Sequence, residues 1–433
     1  MRKLITVLSV FLSATAFAEG YQVNLQSTRQ AGMGHVGTAM KLGAESMHFN
    51  PAGLVYMDKK VDLSFGASAV ATDVTYRGEG GYHANTDNSI STPMYFYAGF
   101  NVWKDMIAAG LSVTTPYGSS LDWGNNWKGA AAVQDIALKS FVFQPTVSLQ
   151  LLDGLSIGAG LMVATGNFSL SKAVLPAGYL AQLPAFGEAY KDVVPVSVRL
   201  KGRSNVRVGY NVGIMWQPCK KIILGASYRS KIRMTVDNGE AVLTYANNAI
   251  QSAISGSVSM LDNGTFAASL PLPSNWNFGV SYMPTDRWIV SFDLQYVGWD
   301  AYDRLVVDFK ENMLNDNDQD LKKDYKNTFV YRLGAQWQAL KTLQVRLGAY
   351  FDETPVRSNY YNPETPGANK LGVSAGLSYE PVRNMTLDLA FTFIKGFKRD
   401  GSYEYLPPLP AGTFSGEYES TAYVPSLGVS VRF

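Results

Sequence analysis

The 433-residue sequence predicts an all-β fold: a 14-stranded antiparallel transmembrane β-barrel whose lumen is plugged by an amino-terminal segment. Three observations predict it. Strand-like stretches with apolar and polar residues in alternation recur from about Lys60 to the last residue. Short polar turns alternate with long, variable connections. The amino terminus carries an export signal, so the barrel belongs in a bacterial outer membrane.

Residues 1–18 read as a signal peptide. Arg2 and Lys3 precede an apolar run from Leu4 to about Ala14, and Ala16-Phe17-Ala18 is a small-x-small cleavage pattern. The run is too short for a spanning helix, which needs roughly 20 apolar residues. Residues 19–58 do not read as strands. Gly32-Met33-Gly34-His35-Val36-Gly37-Thr38-Ala39 is small and glycine-rich, and Asn50-Pro51-Ala52 marks a turn. A 14-stranded barrel is too wide to fill its interior with wall side chains alone, so this segment is expected inside it.

Residues 59–433 read as the barrel. Tight turns fall at 103–105, 152–154, 217–220, 284–287, 340–342 and 380–384. Long connections fall at 78–91, 119–134, 174–197, 236–264, 310–326, 353–369 and 399–416. These thirteen connections join 14 strands, an even number, with the long loops at one end. Val206, Val208, Tyr210, Val212, Ile214 and Trp216 share one parity and are expected to face lipid. Leu427, Val429, Val431 and Phe433 end the chain on an alternating strand.

Composition agrees. Mean hydropathy is close to zero, as expected when apolar-out and polar-in positions average. Tyr (25), Phe (21) and Trp (8) are abundant enough to supply interface girdles. The formal net charge of +2 gives no reason to expect nucleic acid as a partner. One cysteine, Cys219, excludes an internal disulfide. Three histidines (His35, His48 and His83) are dispersed, so neither a hydrolase triad nor a metal site is expected, and no cofactor.

At this point the chain resembles the FadL-type transporter family. The residues that carry the resemblance are Gly20-Tyr21-Gln22 through Asn50-Pro51-Ala52, Thr114-Thr115-Pro116-Tyr117-Gly118, Leu272 to Trp276, Tyr296 to Trp299, and Asp352 to Val356. The resemblance implies a hatch with gating at Asn50, Pro51 and Ala52, and passive uptake of hydrophobic molecules, foremost long-chain fatty acids. It also implies a kinked third strand opening a lateral window, with Pro116, Gly118 and Pro145 as the wall irregularity. Fatty-acid members use basic residues on the fifth and ninth strands. Here those regions read Thr165-Gly166-Asn167 and Arg304-Leu305-Val306, a departure. Other members move aromatic hydrocarbons.

Two loops carry apolar clusters: Tyr179, Leu180, Leu183, Phe186 and Tyr190 in one, and Val242, Tyr245, Ala249, Ile250, Ala253 and Ile254 at helical spacing in the other. Exposed apolar clusters mark contact sites, and the resemblance implies that these form an extracellular groove for capture. The alternative is mutual packing as a cap. Arg199, Lys201, Arg203 and Arg207 on the sixth strand, and Arg229, Lys231 and Arg233 on the seventh, are expected to face the lumen as a ladder for a carboxylate. The alternatives are pairing with lumenal acids or with lipopolysaccharide phosphates. A monomer in outer-membrane lipid and lipopolysaccharide is expected. A polar porin and a surface adhesion or receptor barrel are the competing function classes.

Overall fold

The computed structural model describes residues 21–103, 106–175, 177–182, 187–255, 263–310, 319–404 and 413–433. The predicted signal peptide, residues 1–18, lies outside these. The described residues form 14 wall strands in one antiparallel sheet. They are β1 (Val61–Ser68 and Ala71–Arg77), β2 (Met94–Trp103, with His83–Asn85 above it), β3 (Ile107–Thr114 and Gly118–Asp122), β4 (Asp135–Leu152) and β5 (Leu155–Ala173). There follow β6 (Val196–Arg203 and Arg207–Cys219), β7 (Ile222–Arg229 and Ile232–Tyr245), β8 (Asn263–Leu272 and Ser274–Thr285) and β9 (Trp288–Gly298 and Arg304–Phe309). The wall continues with β10 (Gln319–Lys322 and Thr328–Leu340), β11 (Leu343–Asp352), β12 (Lys370–Val382), β13 (Met385–Glu404) and β14 (Thr413–Arg432). β14 pairs with β1 from Asp62↔Arg432 to Ser68↔Ser426, so the sheet closes on itself.

All six short turns lie at the end that holds the carboxyl terminus. Several long connections are shorter than predicted, because the strands run on to Asp122, Tyr245 and Glu404. At 20 residues, β13 and β14 are about twice what spanning needs, so they stand above the membrane.

The lipid face follows the predicted parity. Val206, Val208, Tyr210, Val212, Ile214 and Trp216 are all exposed. Trp216, Tyr282, Trp288 and Trp337 make a girdle by the short turns. Tyr210, Tyr228 and Trp276 make another further up, with the Tyr228 and Trp276 rings 4.4 Å apart. Such belts mark the two membrane interfaces.

The segment 21–57 is almost wholly buried. It contains short helical turns at Thr28–Ala31, Gly43–Glu45, Ser46–Phe49 and Pro51–Tyr56. Its hydrogen bonds reach the wall on several sides. Thr28 N–H donates to Tyr95 Oη on β2 (3.0 Å) and Gly34 N–H to Ser374 Oγ on β12 (3.0 Å). Gly37 N–H donates to Asp293 Oδ2 on β9 (2.7 Å), while Gln144 on β4 and Ser227 on β7 donate to Met47 O (2.7 Å) and Phe49 O (2.9 Å). A segment bonded to strands around the circumference occupies the bore.

Candidate functional site

The lumen has two unlike halves, and breaks in the strands create them. In lower β6 the odd-numbered Gly209, Asn211 and Met215 point inward. After the break at Ser204–Val206 the inward residues are the even-numbered Val196, Val198 and Leu200. In lower β7, Ser227 and Arg229 point inward; after the break at Ser230–Lys231, Ile232, Met234 and Val236 do. Side chains alternate with period two, so an odd offset moves every later residue to the other face.

This corrects the predicted basic ladder. Of its seven residues only Arg229 is buried, at 7 % exposure. Arg199, Lys201, Arg203, Lys231 and Arg233 stand on the outer face above the breaks, and Arg207 is exposed beside Thr235, to which it donates.

The upper half is an apolar cavity lined by Ile136, Leu138, Leu170, Met234, Leu270, Leu305 and Val307. Tyr21 closes its floor, with its ring at right angles to Trp299 (5.0 Å) and near Tyr302 (5.9 Å). Glu364 reaches the rim, paired with buried Lys323 at 2.8 Å.

The lower half is polar. A pocket between the amino-terminal segment and the wall is lined by Asn24, His35, His48, Tyr117, Arg229, Asn275, Asn277, Asp293, Gln295 and Arg332. Arg229 donates to His48 O (2.8 Å), lies 3.2 Å from His48 Nδ1, and reaches Gln144 Oε1 (3.5 Å) and Met162 Sδ (2.9 Å). Among the described residues it forms no ion pair. Arg332 donates to Gln295 Oε1 (2.6 Å) and Asn24 Oδ1 (3.2 Å). Burial, and after it the charge of Arg332, lowers the His35 pKa; burial and Arg229 lower that of His48. Both imidazoles are therefore neutral at pH 7.

Asn50-Pro51-Ala52 is a junction between segment and wall. Asn50 Nδ2 donates to Thr38 O (2.8 Å) and to Ile214 O on β6 (3.0 Å). Asn50 Oδ1 caps the next turn through Ala52 N–H, and Ala52 O accepts from Ser148 and Ser156. Gly158 and Gly213 permit the approach, because a Cβ on either would collide with Pro51 or Asn50. Nothing in the sequence around these two glycines announces a partner more than 100 positions away.

The third strand is irregular where predicted. It breaks at Thr115–Tyr117, and above Thr114 its ladder with β2 stops. The amino-terminal segment takes that edge: Val23 N–H donates to Pro116 O and Gly118 N–H to Tyr21 O, both at 2.8 Å. Gly118 opens the upper part of β3. Pro145 differs from expectation. It faces outward inside an unbroken β4, and the register with β5 is the same on either side of it.

The loop clusters come together, but as a cap. Leu180 and Ile250 are fully buried, at 1 % and 0 %, with Tyr245 packed against the same apolar cluster, not exposed in a groove. Val242 and Tyr245 end β7, and the helix spans Asn248–Ser255. Leu183, Phe186 and the Ile254 side chain lie outside the described residues. Beside Tyr245, a cleft of about 370 Å³ opens between Asn125, Val193, Val198 and Arg199.

Residues 9–433 match the family described as Outer membrane protein transport protein (OMPP1/FadL/TodX). The chain is 22 % identical over 450 aligned positions to the long-chain fatty acid transport protein of Escherichia coli O6:H1, covering 98 % of this chain and 96 % of that one. It superposes on a Pseudomonas aeruginosa FadL homologue with a TM-score of 0.81 at 19 % identity, covering 96 % of this chain and 100 % of the other. The CymD monoaromatic hydrocarbon channel superposes with a TM-score of 0.67 at 19 % identity, covering 96 % and 99 %. The closed 14-strand wall and a family match across nearly the whole chain lead to one conclusion: this protein belongs to the OMPP1/FadL/TodX family and is an outer-membrane channel for hydrophobic compounds.

Proposed function

We propose that the channel takes up long-chain fatty acids passively, chain in the upper cavity and carboxylate at Arg229. The observation that carries this reading is Arg229 itself: a buried guanidinium held by neutral partners, just below an apolar cavity. A buried charge without a counter-ion is costly, and a carboxylate head would supply one with charge-assisted hydrogen bonds. Entry would use the cleft beside Tyr245. The segment 21–57 acts as the hatch, hinged about Asn50-Pro51-Ala52. Release is lateral, where β3 has lost β2 and the hatch covers the edge.

The test is Arg229→Gln, comparing uptake of a long-chain acid with the alcohol of equal length. Acid binding should fall about a hundredfold, alcohol binding by less than about twofold. An equal fall for both, or none for either, sinks the assignment. One observation favours a second reading, an aromatic-hydrocarbon channel: the edge-on rings of Tyr21, Trp299 and Tyr302 suit a flat ring. Toluene uptake that persists in Arg229→Gln while displacing no fatty acid would support it.

A further inference from the structure

The exposed cations at and above the breaks in β6 and β7 form a patch that the channel function leaves without a role. Asn211 pairs with Arg229, and Asn205 N–H bonds to Thr235 O in the same register. That register brings Arg207 beside Arg233, both exposed, with Arg207 donating to Thr235 two residues beyond Arg233. Like charges this close on neighbouring strands repel each other. Their outer neighbours offer no relief, since Arg207 faces Ala164 on β5 and Arg233 faces Pro271 on β8. Lys231 and Arg203 stand exposed on either side. The nearby acids lie higher: Glu240 opposite Lys201, Asp237 bonded to Asn205, and Asp135 3.7 Å from Arg199.

Other cations of the upper wall are treated differently. Arg77 pairs with Glu417 (2.9 Å) and Glu419 (3.1 Å), Lys395 with Glu419 (2.6 Å), Lys398 with Glu417 (3.3 Å) and Arg304 with Asp320 (2.5 Å). Among the described residues, Arg203, Arg207, Lys231 and Arg233 have no ion pair. Arg207 and Lys231 sit three residues beyond Tyr210 and Tyr228 of the upper girdle along their strands, Arg233 five and Arg203 seven. That is the level of lipid headgroups in the outer leaflet.

We propose that this patch binds the phosphates of an anionic outer-leaflet glycolipid, the lipid A part of lipopolysaccharide. Arg207 and Arg233 face one phosphate from both sides and Lys231 adds a third cation, while the acyl chains lie on the apolar wall below. The bound phosphate removes the repulsion between the two guanidiniums.

The test uses the full-length protein in detergent and purified bisphosphorylated lipid A, with occupancy read by native mass spectrometry. Replacing Arg207, Lys231 and Arg233 by Gln should weaken binding roughly a hundredfold, at about a factor of five per cation. Replacing the paired Arg77, Lys395 and Lys398 by Gln should change it less than about twofold. Wild-type protein should hold dephosphorylated lipid A no better than the triple variant holds the phosphorylated form, which tests the idea even if the variant folds poorly. Equal retention of lipid A by wild type and triple variant, or indifference to the phosphates, would overturn the proposal. So would saturable binding of inorganic phosphate alone at the same affinity, because that would make the site one for the free ion.

Discussion

At the scale of single residues, Asn50 ties two parts of the segment to each other and to β6 of the wall. Its amide donates twice and accepts once, and all three partners are backbone atoms. Asn50→Ala should loosen residues 21–57 by roughly 2–4 kcal/mol, at about 1 kcal/mol or more per lost bond. Faster proteolysis within that segment, with the sheet signal in circular dichroism unchanged, is the expected outcome. Gly213→Ala should act in the same direction, because its new methyl meets Asn50 Oδ1. Asn-Pro-Ala was legible in the sequence because its turn chemistry is local. Gly213 was not, because a glycine needed for close approach is explained only by what approaches it.

At the scale of elements, the strands were legible and their interruptions only partly so. Alternation located the wall, and Pro116 marked the break in β3. The breaks in β6 and β7 contain Ser204, Asn205, Val206, Ser230 and Lys231, with neither proline nor glycine to punctuate them. Parity extended through those breaks put five cations on the wrong face. The predicted loop clusters illustrate the same difficulty. Apolar residues on an external loop do not say whether they face solvent or the protein, and Leu180 and Ile250 are both buried in the apolar cluster of the upper barrel. The edge of β3 offers a test of release. Gln22 and Tyr117 form an antiparallel bridge flanked by hydrogen bonds on both sides, the kind of pair whose Cα atoms approach to about 4.5 Å. A disulfide spans that distance without strain. With Cys219 replaced by Ser, Gln22→Cys with Tyr117→Cys should block fatty-acid uptake when oxidised and restore it on reduction. Undiminished uptake by the oxidised form would refute release at this edge.

At the scale of the whole molecule, closure of the wall and packing of its contents are separate properties. The wall closes through its own ladder from β1 to β14. The contents depend on buried polar groups, and these give the packing a pH dependence of known sign. Burial, aided by Arg332 and Arg229, holds His35 and His48 below the usual 6.5. Once released, both would take up protons as the pH falls past about 6.5, whereas in place they resist. The released form thus binds more protons, and packing weakens as pH falls below about 6.5. Glu45 acts in a lower window. Burial would raise its pKa, but Arg29 at 3.1 Å and the hydroxyls of Ser27 and Ser64 hold it below 4.5, so its contribution is lost only further into acid. Hydrogen-exchange protection across residues 21–57, relative to the intrinsic rate at each pH, should fall between about pH 6.5 and 5 in the wild type and much less in a variant carrying His35→Gln and His48→Gln.

The parity switch has one more effect. It turns the bore into a short oil–water boundary standing on end, so a molecule can settle inside only with its two ends unlike. A linear diacid as long as a good monoacid would have to set its second carboxylate among Ile136, Leu138 and Met234, close to Glu364. The barrel should therefore sort cargo by asymmetry as well as by greasiness, and α,ω-diacids should compete for entry far less well than monoacids of the same length.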